Sequence, residues 1–297
     1  MRISRSNYER TFNAINHIII FLFMFVCIYP FYYVIVGSVS SGSMARFAYV
    51  WPINFTLRTY RNIFSQNQVY YAFLISGART VLGTFITVFF TSMLAHLVTK
   101  EKMYFRKFVY RYFIVTMYIS AGLIPWYLSM KAYGLQNNFL VYVVPGAINV
   151  YYMILVKTFI ESVPDSIEES AEIDGAGFFT VYTRIILPLI KPILATIMVY
   201  SAIGHWNNWQ DNYFLVTDRN LQTLQLMLYN YLQQAQTLAL AMRNATSTTA
   251  GQAANFTISA ESIRMTMVVI TVIPIMLVYP FLQKYFTSGI MLGAVKG

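Results

Sequence analysis

The chain is short of the residues that stabilise soluble and secreted folds. Cys27 is its one cysteine, so no intrachain disulfide can form. That cysteine lies inside an apolar run and carries no information about redox compartment. Only 11% of the 297 residues are charged, against about a quarter in soluble domains. With 57% hydrophobic residues, this excludes an ordinary soluble domain. Negative charge is the scarcer sign, 11 acidic residues against 21 lysines and arginines.

Catalytic motifs are missing as well. No GxxxxGK[ST] phosphate cradle occurs, so the chain cannot hydrolyse ATP itself, and energy for any active process must come from a separate subunit. HExxH, CxxC and GxSxG are also absent. His17, His96 and His205 stand too far apart to argue for a metal site and read as helix-packing or interfacial residues. No enzymatic role is expected, and no cofactor on this chain.

What the chain does contain is apolar runs approaching the roughly 20 residues that a bilayer core demands. Their charged and glycine-rich breaks predict an all-α polytopic membrane protein with six spans, at about 15–37, 69–98, 109–130, 139–159, 192–214 and 262–283. Arg2, Arg5 and Arg10 precede the first run, which exceeds a signal h-region and reads as an uncleaved span. Tyr29-Pro30 is an expected kink. The net charge of +10 forms no exposed stripe for nucleic acid. Its excess sits at membrane edges, beside anionic lipid headgroups.

With a cytoplasmic N-terminus, that side holds thirteen lysines and arginines, including the cluster Lys100, Lys102, Arg106, Lys107 and Arg111. The other side holds seven, and Arg79 is left inside the second span. The bias puts both termini in the cytoplasm. Residues 1–14 are then a cytoplasmic segment, 15–284 the membrane domain, 161–192 a cytoplasmic loop, 215–260 an outer loop and 285–297 a cytoplasmic tail. A short helix is expected around Leu57 to Phe64, and another over Thr223 to Ala241.

The loop at 161–192 gathers Glu161, Asp165, Glu168, Glu169, Glu172 and Asp174 in a basic chain. Pro164-Asp165-Ser166 is a helix-start signal, and Gly175 and Gly177 interrupt the helix before FFTVYTRIILPLI resumes it. Such a helix–bend–helix knob suits another protein's groove. Its pattern is Glu169-Ser170-Ala171, three residues, Gly175, nine residues, then Ile185-Ile186-Leu187-Pro188. This resembles the EAA loop of the membrane subunits of bacterial ABC importers, with Ser170 where the pattern prefers alanine. The continuation AEIDGA at 171–176 resembles the carbohydrate-uptake, maltose-type second-permease branch. Within it the chain looks closest to LplC-like permeases for plant or algal polysaccharide fragments.

The resemblance implies a type I permease fold in the bacterial inner membrane. It also implies Glu169, Ser170, Ala171, Asp174, Gly175, Ile185, Leu187 and Pro188 as residues that couple to an ATPase. Implied partners are a second, homologous permease in a heterodimer, two ABC ATPases that bind ATP and Mg2+, and an extracytoplasmic substrate-binding protein that delivers an oligosaccharide. The tail's Gly289, Met291, Gly293, Ala294, Lys296 and Gly297 match the family's C-terminus, which reaches the ATPase interface. Alternatives are a permease for another solute class, or a self-contained secondary transporter or channel.

Candidates along the substrate path are Trp206, Asn207, Asn208, Trp209 and Asp211, with Trp126 and Tyr127 after Pro125. Aromatic faces, amides and a carboxylate are what sugar recognition uses. The same residues also read as an aromatic belt at the outer interface. Arg79 has two readings of its own. It draws an anionic sugar such as an alginate or pectin uronate oligomer, or it snorkels or pairs with a partner subunit's acid.

Overall fold

The computed structural model describes residues 7–41, 45–244, 261–278 and 280. The tail residues named above, the segment 245–260 and Arg2 and Arg5 lie outside the described residues. Those described are helical, with no strand among them. In order, the helices are α1 (Asn7–Ser38), α2 (Arg58–Phe64), α3 (Asn67–Thr99), α4 (Arg106–Tyr118), α5 (Leu123–Ala132), α6 (Val150–Ile160) and α7 (Ser166–Ile173). They continue as α8 (Phe178–Leu189), α9 (Lys191–Asn207), α10 (Gln210–Leu215), α11 (Leu224–Asn244) and α12 (Glu261–Val278). The expected short helices are present as α2 and α11.

The chain divides into two compact units, Met1–Ser65 with Asn230–Val272 and Gln66–Tyr229 with Ile273–Gly297. In the first, α1 runs unbroken through Pro30. Gly37 lets the chain pass close to Met265: a Cβ there would collide with the Met265 sulfur. Polar caps fasten the loop beyond it, with Ser38 Oγ 2.7 Å from the Tyr60 hydroxyl and Thr59 Oγ1 3.1 Å from Ser262 Oγ.

The second unit is built around α3, which packs against α9 and α6. Its buried face is Ser76, Arg79, Gly83, Thr84, Thr87, Thr91, Ser92, Ala95 and His96, while Val81, Leu82 and Phe85 are exposed. This inverts the soluble pattern. Lipid tails are as apolar as leucine, so small residues that let backbones approach and polar groups that need partners go inward, and large apolar ones face outward. Val88 and Ala95 of α3 meet Met153, Val156 and Ile160 of α6, Val181 and Ile186 of α8, Ile190 at the bend and Ile197 of α9 in one core.

Three helices among the described residues are long and apolar enough to cross a membrane: Thr11–Ser38, Asn67–Thr99 and Glu261–Val278. A fourth arises if α8 and α9, bent by 85° at Ile190, count as one. Three of the expected spans contain breaks in their helices. The span 109–130 is split into α4 and α5 at Ile119–Gly122, where Gly122 takes φ +84°. The span 139–159 opens with one 3-10 turn, Phe139–Tyr142, and becomes α-helical only at Val150. The span 192–214 breaks at Asn208–Trp209. A membrane tolerates such backbone only where it is buried in protein or lines a cavity.

Candidate functional site: a polar cavity and a clamped coupling loop

All three breaks meet at one place. Ile119–Leu123, Pro145, Gly146, Asn149 and Asn208–Asp211 line an open cavity of about 1100 Å³ in the second unit, with Arg79, Thr87, Trp126, Tyr142, Tyr152 and His205. Of the expected path residues, Arg79, Trp126, Asn208, Trp209 and Asp211 are brought together here. Tyr127 packs behind the wall with Val141, Tyr142 and Leu215. Trp206 turns to an apolar groove with Gly77, Val81, Ala202 and Pro274, its ring edge-on to Phe73 at 6.3 Å. Asn207 is exposed and does not line the cavity.

Arg79 neither snorkels nor waits for a partner's acid. It is 1% exposed and grips Asp211 with both terminal nitrogens, Nη1 donating to Oδ1 at 3.1 Å and Nη2 to Oδ2. Nη1 also donates to the Asn208 carbonyl at 2.9 Å, and the guanidinium lies 4.8 Å from the centroid of the Tyr142 ring. A buried arginine demands such a fork of acceptors, because an unpaired charge there is strongly destabilising. Trp209 stacks on Tyr229 at 4.0 Å and 11°, presenting a rigid aromatic edge.

Several site residues carried no motif in the sequence. Asn212 Oδ1 accepts from Thr223 N at 2.9 Å, and Asn137 Oδ1 from Thr217 N at 2.6 Å, pinning the two ends of the segment 216–223, which holds the 3-10 turn Arg219–Leu221. Asn137 at φ +53° uses the left-handed tolerance of asparagine, a weak signal available in KAYGLQNN. His205 Nε2 lies 3.2 Å from Thr87 Oγ1, which donates to the Gly146 carbonyl at 2.7 Å.

The loop after α6 forms α7, a bend and α8. The start at Ser166 follows Pro164 as expected, but the Asp165 side chain makes no capping bond; backbone Asp165 O instead accepts from Glu168 N and Glu169 N, each at 3.0 Å. Glu168 and Glu169 occupy the first turn, where the helix dipole favours anions. The end is a Schellman motif: Gly175 N bonds Glu172 O at 3.0 Å, Ala176 N bonds Ala171 O at 2.9 Å, and Gly175 takes φ +83°. That geometry is why a glycine stands there. Ser170 folds its hydroxyl back to Ser166 O at 2.7 Å, so it behaves as the small helical residue the pattern wants. Ile185 and Ile186 lie in a π turn, Tyr182–Ile186, and Leu187 and Pro188 close α8 before the 85° bend.

The knob is clamped to the end of α3 by residues whose sequence signals are only charge bias and packing. The His96 ring is sandwiched between Phe178 at 5.0 Å and Tyr182 at 5.6 Å. The Tyr182 hydroxyl meets Ser92 Oγ at 2.8 Å. Lys100 pairs with Glu168, and Lys102 Nζ donates to Glu172 at 2.6 Å. This hydrogen bond raises the Lys102 pKa above its ordinary 10.5 and holds the Glu172 carboxyl below its ordinary 4.5. Glu169, Asp174 and Ile173 face outward, Ile173 at 86% exposure.

Residues 87–292 match the family of binding-protein-dependent transport system inner membrane components. The chain is 32% identical to the polygalacturonan/rhamnogalacturonan transport system permease protein YtcP of Bacillus subtilis, over 97% of this chain and 99% of that one. It is 34% identical to Protein LplC of the same organism, over 92% of this chain and 90% of LplC. A solved bacterial ABC transporter involved in import of the acidic polysaccharide alginate contains a chain that superposes with a TM-score of 0.81 at 26% identity, covering 96% of this chain and 99% of that one. The chain therefore belongs to the inner-membrane permease family of ABC importers and has their type I fold.

Proposed function

We propose that this chain is one of two homologous permeases in an ATP-driven importer of oligosaccharides or polysaccharide fragments. Six passes cross the inner membrane: α1, α3, α4 with α5, the 139–160 segment, α9 with α10, and α12. Both termini and the 161–192 loop lie in the cytoplasm, an orientation supported by the thirteen-to-seven bias of basic residues. An extracytoplasmic binding protein delivers the sugar, and two ATPase subunits, carrying ATP and Mg2+, grip the α7–α8 knobs of the two permeases. The cargo of the relatives supports a plant or algal polysaccharide fragment, uronate oligomers included.

The observation that carries the reading is the continuity of α3. One end is clamped to the coupling knob through Ser92 and His96, with Lys100 and Lys102 just beyond it, and the same helix holds Arg79 in the cavity wall. A push on Glu169, Ile173 or Asp174 reaches the cavity along α3 as well as through α6 and α9, which flank the loop in sequence. Closure of the ATPases thereby re-shapes the aromatic and amide-lined cavity.

Affinity purification of the chain tests this. A second permease and an ATPase should co-purify, and Ile173→Glu should release the ATPase while the permease pair stays together. A homo-oligomer without an ATPase overturns the reading.

A further inference from the structure

Arg79 is the one lysine or arginine among the described residues that line the cavity, and Asp211 is the one carboxylate. Each neutralises the other through two parallel hydrogen bonds. The guanidinium is further fixed by the Asn208 carbonyl and the Tyr142 ring. For Arg79 to meet a sugar carboxylate it would have to leave Asp211, and the incoming anion would then stand beside an exposed like charge. The rest of the wall is aliphatic side chains such as Ile119, Leu123, Met130 and Val141, with aromatic rings, amides, hydroxyls and His205.

We propose that Asp211 is a specificity-determining residue: by occupying Arg79 it makes this subunit's cavity wall electroneutral, so that the wall reads sugar rings and hydroxyls and ignores carboxylates. Any acidic group on the cargo is then met elsewhere in the importer. Removing the Asp211 charge would free a forked cation whose geometry matches a carboxylate. The inference rests on the oligosaccharide-importer reading.

The test uses the whole importer in proteoliposomes, with binding protein loaded with a uronate trisaccharide or with a neutral trisaccharide of equal length. The readout is the ratio of the two ATP-dependent uptake rates. Asp211→Asn should shift that ratio toward the acidic sugar by about tenfold, as expected for one new charge-assisted contact. The double variant Arg79→Gln/Asp211→Asn keeps an amide pair in place and should return the wild-type ratio. An unchanged ratio in Asp211→Asn, or selective loss of acidic uptake in the double variant, overturns the proposal. Should Asp211→Asn fail to assemble, the double variant decides alone by the same criterion. Failure of the importer reading looks different: the wild-type complex then takes up neither sugar.

Discussion

Replacing Gly83 with alanine puts a methyl group where the His205 ring stands. An ideal Cβ at Gly83 lies 2.6 Å from His205 Cε1 and 2.7 Å from both ring nitrogens. To make room the ring must swing toward the cavity that it lines. Thr87 Oγ1 lies 3.2 Å from Nε2, and on another side Gly146 is close enough that its own Cβ would fall 3.5 Å from Cε1. Either the ring leaves its rotamer or α3 and α9 part, and overpacking of this kind costs about 1–3 kcal/mol. The two helices bound the cavity, so transport should fall with stability. A double-mutant cycle isolates the contact: Gly83→Ala/His205→Ala exchanges a ring for a methyl group and should recover at least about 1 kcal/mol relative to the sum of the single variants. Denaturant unfolding of the reconstituted complex measures the stabilities, and uptake rate measures the consequence. Wild-type stability in Gly83→Ala, or strict additivity in the double variant, would refute the argued packing of α3 on α9.

Gly175→Ala meets no atom within 4 Å, so its penalty is backbone strain alone, about 1–2 kcal/mol for a left-handed residue. ATP-dependent uptake should drop while the permease pair still assembles, and Gly175→Asn should lose less; equal activity of all three would remove the Schellman turn from the mechanism. The Lys102–Glu172 contact has a defined pH window. Because the Glu172 pKa is lowered in the fold, its contribution is complete above 4.5 and disappears as pH falls through the depressed value. Because the Lys102 pKa is raised, its contribution is complete below 10.5 and disappears only above the raised value. A proteolysis profile of the loop should be flat between those limits, and cutting of wild type should rise at acid pH toward the level that Glu172→Gln shows throughout. Charge reversal, Lys102→Glu/Glu172→Lys, should restore the protection that either single reversal loses, and high salt should weaken it.

The coupling loop was legible because its signals are local. A proline start, a helix of eight residues, a glycine in the left-handed region and a resumed helix each depend on neighbours within a turn or two, and the backbone at Glu161–Pro192 obeys them. The cavity was legible only in part. Trp126, Asn208, Trp209 and Asp211 were found as polar or aromatic residues out of place in apolar runs, and so was Arg79. Trp206 and Tyr127 had the same chemistry and point elsewhere, because one residue along a helix turns a side chain by about 100°.

Composition and periodicity by themselves determined that this chain lives in a membrane and where its apolar runs begin and end, and the local pattern of 161–192 marked the loop proposed to dock a partner. Those properties follow from transfer free energies and short-range backbone geometry, which each segment carries alone. Tertiary structure decided where the spans break, because an open backbone survives at membrane depth only if other helices fold around it into a cavity. It also decided that Arg79 belongs to Asp211, 132 positions away, and that His96 and two lysines of a basic cluster clamp the coupling knob. Charges must find partners when water is excluded, and which partner is nearest is a property of the folded chain.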